Sequence, residues 1–387
     1  MDIDDAGTMA DKEPPVANNR ILLSMKKITF LAPSINPGNP GYRYRCLYPA
    51  NELRKRGWKV DISTEIRTKG NRFIVVLSDI FISCSETKLT ALIKSIELEK
   101  KNGSKIFASE CDNLRFNPTN NKKLEDKTKN LDRLHALADL YIYTTETLAD
   151  LAQKYHSSPK KIAVIPDGLE TRSMLRPSGI FEKIKSIRNH QSRLDLIKLK
   201  IFIHLQKSKG ITPLVWFGGH ATARGSAGGM IDLLKIRNEI EKKNHSHKVS
   251  LTIISDNKAS FDENIANWSI PTHYLQWDRL NFHDALAQHE ICLLPINSSA
   301  WTVCKSPNRI ITALNVGLAC ISDEIPSYRA FAPVSKIGNW SAGLDHYLNT
   351  PSNREKDVSA ARQLINNEWT QAKIADRWEF ILNKNLN

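Results

Sequence analysis

The chain has 387 residues, 41% of them hydrophobic and 25% charged, and its formal net charge is +14. That length holds two domains with real cores, and the composition excludes collagen-like and wholly disordered chains. No apolar run approaches the ~20 residues of a membrane span, while the positive charge leaves nucleic acid, an anionic membrane face and phosphorylated ligands open.

Residues 1–25 are acidic at first, then Pro- and Asn-bearing, and read as a disordered tail. "ILLSMKKITFLAP" is not read as a signal peptide, because Lys26 and Lys27 interrupt it and no small-residue cleavage site follows. From there short β-branched runs alternate with amphipathic helices. The first series of strands is "KITFLAP", "KVDIST", "FIVVLSDI", "KIFASE", "LYIYTT" and "IAVIPDG". Between them stand helices such as "PANELRKRG", stopping at Gly57, and "TETLADLAQKY", with Thr145 as N-cap. Strands apolar on both faces, alternating with helices, predict a parallel sheet covered on both sides. Residues 26–168 therefore form an N-terminal Rossmann-like domain, and 169–212 a helical, basic connector.

A second series occupies residues 213–345, with strands "PLVWFGG", "VSLTIIS", "HYLQW", "ICLLPI" and "LACIS". "GGMIDLLKIRNEIEKKN" reads as its longest helix, and residues 346–387 read as further helices. The fold class is α/β, with two doubly wound Rossmann-like domains facing across a cleft, where ligands bind at the carboxyl ends of strands. Cys46, Cys84, Cys111, Cys292, Cys304 and Cys320 show no CxxC pair and read as reduced thiols. No His or carboxylate cluster has metal-ligand spacing, so no metal is expected.

The candidate functional residues all lie in loops that follow strands. "APSINPGNPGYRYR" offers Gly38 and Gly41 for backbone approach to a ligand, with Arg43 and Arg45 beside them; a surface turn is the competing reading. "WFGGHATARGSAGGM" offers Gly218, Gly219, His220 and Arg224, paired glycines and cations ahead of a helix start that suits an anion. "KIFASECDNLRF" ends at Asp112 and Asn113, which either orient a hydroxyl or act as a base, or simply turn the chain. In "HYLQWDRL", Trp277 and Asp278 either hold a nucleobase or pack and cap.

"WTVCKSPNRIITALNVGLACIS" carries the strongest signal. Ser306 reads as N-cap, Pro307 as first helical residue and Gly317 as C′ stop. Lys305 and Arg309 then stand at the positive end of a helix dipole, the wrong sign unless an anion joins them. A diphosphate supplies that anion; a carboxylate such as Asp323 or Glu324 is the alternative. The absence of G-x-G-x-x-G and of G-x-x-x-x-G-K-[ST] removes most support for dinucleotide oxidoreductases and P-loop NTPases.

On "ITFLAPSINPGNPGYRYRCLYPANELRKRGWKV", "YIYTTETLADLAQKYHSSPKKIAVIPDGLE" and "LLPINSSAWTVCKSPNRIITALNVGLACISDEIPSY", the chain resembles the GT-B glycosyltransferases, specifically retaining glycosyltransferase family 4. The resemblance runs over nearly everything from Lys26. It departs in two places. Asp167 replaces the Asn of an "IPNG" segment, and Cys304 and Thr312 stand where many members carry two glutamates. What the resemblance implies is a C-terminal helix crossing back to the N-terminal domain and a retaining transfer from a nucleotide-sugar co-substrate, with no tightly bound cofactor.

The combined expectation is a glycosyltransferase acting on a hydroxyl acceptor, a glycan or lipid-linked species, in surface polysaccharide or glycoconjugate biosynthesis. Lys305, Arg309 and Asp112 are expected to be catalytic. Gly218, Gly219, His220, Arg224, Asn308, Trp277 and Asp278 would hold the donor, and Gly38, Gly41, Arg43 and Asn113 would line the acceptor side. A nucleotide-sugar epimerase of the same fold and an inert binding module are the rivals. Nucleic acid is not expected as a partner. The expected location is cytoplasmic, with peripheral contact to an anionic membrane through Lys26, Lys27, Arg54, Lys55, Arg56, Lys183, Lys185 and Arg188.

Overall fold

The computed structural model describes residues 26–67, 70–155, 161–175, 190–219 and 228–386. Two six-stranded sheets organise it. The first contains β1 (Lys27–Leu31), β2 (Lys59–Ser63), β3 (Phe73–Leu77), β4 (Lys105–Glu110), β5 (Leu140–Tyr143) and β6 (Lys161–Val164), in the order β2-β1-β3-β4-β5-β6. The second contains β7 (Thr212–Phe217), β8 (Val249–Ser255), β9 (Thr272–Gln276), β10 (Ile291–Leu294), β11 (Ala319–Ser322) and β12 (Lys336–Ile337), in the order β12-β11-β10-β7-β8-β9. Every strand pair is parallel.

The reason is visible in the residues. All five residues of β3 and all seven of β8 are buried, so neither strand has a face for water and helices must cover both sides. Each sheet accordingly sits between two hydrophobic clusters. The eleven expected strands are present. β12 escaped the sequence because two residues carry no periodicity.

Strand order reverses between β1 and β3 and between β7 and β10. At such switch points neighbouring connections leave to opposite faces and open a crevice beyond the strand ends. The loops after β1 and β7 therefore mark where a ligand fits, before any side chain is considered.

Several local expectations need correction. "GGMIDLLKIRNEIEKKN" is not one helix: a 3₁₀ turn, Met230–Ile236, precedes a short α-helix, Arg237–Lys243. Ahead of helix α1 (Tyr48–Lys55), Arg43–Leu47 forms a π-helical turn, with the Tyr48 amide donating to the Arg43 carbonyl. That wide turn is what drives Arg43 and Arg45 inward, where both are buried.

The long helix α2 (His190–Ser208) belongs to the second domain, with Leu199 and Ile203 buried in its core. Further along, α3 (Asn308–Val316) is followed by α4 (Ser352–Glu368) and α5 (Gln371–Lys384). Not all of the residues after 345 return to the first domain. Ala361 and Ile365 of α4 stay in the second core, whereas Ile374, Trp378 and Leu382 of α5 enter the first. Those three residues repeat every fourth position, so they share one helical face. Trp378 meets Phe30 edge-on at 5.4 Å, and Arg56 pairs with Asp376 at 2.7 Å, which clamps α5 against α1.

Candidate functional site

A cavity of about 480 Å³ lies between the two sheets at the carboxyl ends of their strands. From the second domain it is lined by Gly218 and Gly219 after β7, Gly228, Gly229 and Asp232, Ile296 after β10, and Trp301 to Tyr328 around the start of α3. From the first it is lined by Gly41, Tyr44, Arg45, Asp112 and Asp167. Residues nearly 300 positions apart thus share one wall because both switch points face inward.

The start of α3 differs in detail from expectation. Pro307, not Ser306, holds the cap position, and no side chain caps the helix. Its first amides consequently have no side-chain acceptor among the described residues, and the positive end of the dipole borders the cavity. Gly317 ends the helix as expected, at φ 107.

Arg309 projects from that first turn. One guanidinium nitrogen donates to the Phe217 carbonyl at 3.2 Å, and the group lies 5.9 Å from the Trp216 ring. Among the described residues it forms no ion pair. Its approach depends on Gly218, where an added Cβ would stand 3.0 Å from Arg309 Nη1 and 3.1 Å from the Trp216 ring. A cation with no ion pair among the described residues, at the positive end of a helix, suits a bound anion.

Lys305 is otherwise placed. Its ammonium pairs with Asp112 Oδ1 across the cavity at 2.6 Å and lies 4.0 Å from the Trp301 ring. The carboxylate alternative therefore holds for Lys305, with a partner from the other domain. Asp323 and Glu324 are taken by Lys235 and Arg329.

Asp232 had no sequence signal, since "MIDLL" reads as an ordinary amphipathic helix. The structure buries it to 1% exposure on the cavity wall. Its Oδ1 accepts from the Asn297 amide, while Oδ2 has no partner among the described residues. Burial raises its pKa, with the Asn297 hydrogen bond and the nearby Arg309 acting in opposition. The Asn308 side chain resembles it. Its nitrogen donates to Asp167 at 2.9 Å, but its buried oxygen also lacks a partner among the described residues.

The two arginines after β1 are engaged by protein groups. Arg43 is locked to Glu170 at 2.5 Å, and Tyr48 donates to the same carboxylate. Arg45, 1% exposed, donates to the Ile165 carbonyl at 2.7 Å, to Ser109 at 3.0 Å and to Asp167 at 3.4 Å. Arg43 is thus a fold residue, which corrects its assignment to the acceptor side.

Other candidates are similarly redistributed. Asn113 donates to the Ala300 carbonyl at 2.9 Å, and Thr145 to the Cys304 carbonyl at 3.1 Å, so both tie the domains together. Gly41 lines the cavity, but Gly38 sits in a turn closed by Asn36. Trp277 is not among the residues that line the cavity. It packs against the second core and lies 6.4 Å from the Phe282 ring. Asp278 accepts from the Leu280 and Asn281 amides at 3.0 Å, which closes a turn ahead of the helix Phe282–Leu286 and does not cap that helix, whose cap position is Asn281. His220 and Arg224 lie outside the described residues.

Cys304 and Thr312 are both buried. Burial pushes the Cys304 thiol up to about 11, so near neutrality it supplies no charge in place of a glutamate. Among the described residues no group of His, Cys, Asp and Glu has the arrangement of a metal site. All six cysteines are free thiols.

No family model and no curated protein matches the sequence. Solved structures do match. Sucrose-phosphate synthase from Thermosynechococcus elongatus is 10% identical, with a TM-score of 0.58 over 93% of this chain and 98% of that one. WaaG, a glycosyltransferase involved in lipopolysaccharide biosynthesis, is 11% identical, with a TM-score of 0.56 over 92% and 99%. The E. coli trehalose-6-phosphate structure bound with UDP-2-fluoro glucose is 12% identical, with a TM-score of 0.53 over 89% and 77%. At these identities the similarity establishes the shared architecture: the GT-B fold, two Rossmann-like domains facing across a cleft.

Proposed function

We propose that the protein transfers a glycosyl unit from a nucleotide-diphosphate sugar to a hydroxyl acceptor. The observation that carries the proposal is Arg309, an arginine with no ion pair among the described residues, at a helix start without a side-chain cap, inside a cleft between two switch points. A diphosphate fits that position by charge and by hydrogen-bonding geometry. Arg309, the first amides of α3 and the Gly218-Gly219 turn would stabilise the charge that grows on the leaving group. Removing one such preorganised contact typically lowers the rate ~100–1000-fold.

The unpartnered oxygens of Asp232 and Asn308 are suited to accept from donor hydroxyls. On the opposite wall Asp112, oriented by Lys305, is suited to position the acceptor hydroxyl. In a retaining transfer the bond from the anomeric carbon to the phosphate oxygen breaks, and a bond to the acceptor oxygen forms on the same face. The acceptor proton passes to the departing phosphate, so no separate base is needed. The retaining outcome and the family 4 relationship rest on the sequence resemblance. So do a glycan or lipid-linked acceptor and a role in surface glycan assembly, whereas a cytoplasmic location rests on the scattered thiols and independence of a metal on the lack of metal-ligand spacing.

The experiment is calorimetric titration of the purified chain with nucleoside diphosphates, followed by a nucleotide-sugar screen for thermal stabilisation. Binding lost in Arg309→Ala supports the proposal. A folded wild-type chain that binds no diphosphate sinks it. Product formed from donor alone, without acceptor, assigns an epimerase instead.

A further inference from the structure

Nine large hydrophobic residues are exposed among those described, and four of them lie on α2: Leu194 (51%), Ile197 (52%), Ile201 (55%) and Leu205 (49%). The other five are scattered, as on any soluble surface. At 3.6 residues per turn the four on α2 form one stripe about 16 Å long, opposite the buried Leu199 and Ile203. The helix is thus apolar on two faces, and among the described residues only one is covered.

Charge decides what kind of partner fits. Arg193 and Lys200 border the stripe on one side and Lys198 on the other, with Lys209 just past the end; all four are exposed. Asp195 is the helix's only acid and lies 3.8 Å from Lys198. Among the described residues Arg193, Lys200 and Lys209 form no ion pair. A second copy docking here would bring the same cations against these, in a chain of net charge +14. An anionic bilayer supplies both the apolar phase and the opposite charge.

We infer that α2 is a membrane-surface helix whose Leu194, Ile197, Ile201 and Leu205 enter the headgroup boundary of an anionic bilayer, with the flanking cations on lipid headgroups. The inference is independent of the donor site. It also relocates the contact expected from sequence. Lys55 and Arg56 are engaged with Glu52 and Asp376, Arg54 with the Val60 carbonyl, and Lys26 lies over Trp58. Lys183, Lys185 and Arg188 lie outside the described residues. The start of α2 is held to the loop after β9, where Asn281 donates to Ser192 at 2.6 Å. That loop is at the carboxyl end of the sheet, the end that carries the cleft.

The test is flotation of the full chain with phosphatidylcholine vesicles, with and without phosphatidylglycerol. Binding is expected with the anionic vesicles. Ile197→Gln with Ile201→Gln should weaken it by ~10-fold or more, since each removes an apolar group from the bilayer. Lys200→Glu with Lys209→Glu should abolish the preference for anionic lipid. Unchanged melting temperatures show that the variants fold, and unchanged diphosphate binding separates this result from the donor proposal. The inference is overturned if the wild-type chain does not float with anionic vesicles, or if the isoleucine variant floats equally well. It is also overturned if light scattering shows a wild-type dimer that the isoleucine variant splits without any lipid binding.

Discussion

Arg45 and Arg309 stand on opposite walls of the same cavity, each on the first helical turns after a strand-end loop, and they have opposite fates. Arg45 is sealed in with a serine hydroxyl, a backbone carbonyl and Asp167. Arg309 has the Phe217 carbonyl, the Trp216 ring and the Tyr328 hydroxyl beside it and Asp232 nearby, but forms no ion pair among the described residues. The carboxylates repeat the contrast. Asp167 is engaged by Arg45 and Asn308, whereas one buried oxygen of Asp232 has no partner among the described residues. One wall is satisfied by its own residues, and the other keeps polar groups without partners among the described residues. A cation in a motif acquires a role only when its partners are known, because pairing converts a binding group into a structural one.

The sharpest way to break this contrast is Arg45→Met. Removing one partner of a buried pair leaves Asp167 uncompensated, so urea denaturation should show a loss of about 3–5 kcal/mol. A loss below about 1 kcal/mol would place Arg45 in the ligand-binding group with Arg309. Next, Arg309→Ala should reduce transfer ~100–1000-fold while moving the melting temperature little. A variant that melts early and retains activity would make Arg309 structural and erase the difference between the walls.

Asp232→Asn tests the unused oxygen through pH. A carboxyl whose pKa is raised in the folded state stabilises most below the ordinary carboxylate range, and this contribution fades as pH rises through the raised value. The wild-type chain should therefore lose up to about 1.4 kcal/mol per pH unit from this residue across that window, and the variant should not. Denaturation curves at pH 4 and pH 7 for both proteins measure it; parallel behaviour would show that Asp232 finds a partner. The smallest effect belongs to Lys305→Ala, whose pair with Asp112 is 36% and 29% exposed. Its stability cost should stay below about 1 kcal/mol. A large change in KM for the acceptor would then show that Lys305 acts by orienting Asp112.

The sequence alone determined the architecture and its reactive end. Runs such as "FIVVL" and "VSLTIIS" can be satisfied only by a covered parallel sheet, and parallel sheets oblige helical crossovers. That obligation is local, so it is readable without contacts, and it places the strand-end loops at a cleft. The Thr145 cap and the Gly317 stop were legible for the same reason, being decided within one turn of chain. Which of the loop residues serve a ligand was decided only by the tertiary structure. Lys305 and Asp112 are 193 residues apart, Arg45 and Asp167 122, and no pattern along the chain announces such pairs. The Asp232 oxygen and the apolar stripe of α2 are of the same kind: each is defined by what, among the described residues, fails to reach it, which exists only once the chain is folded.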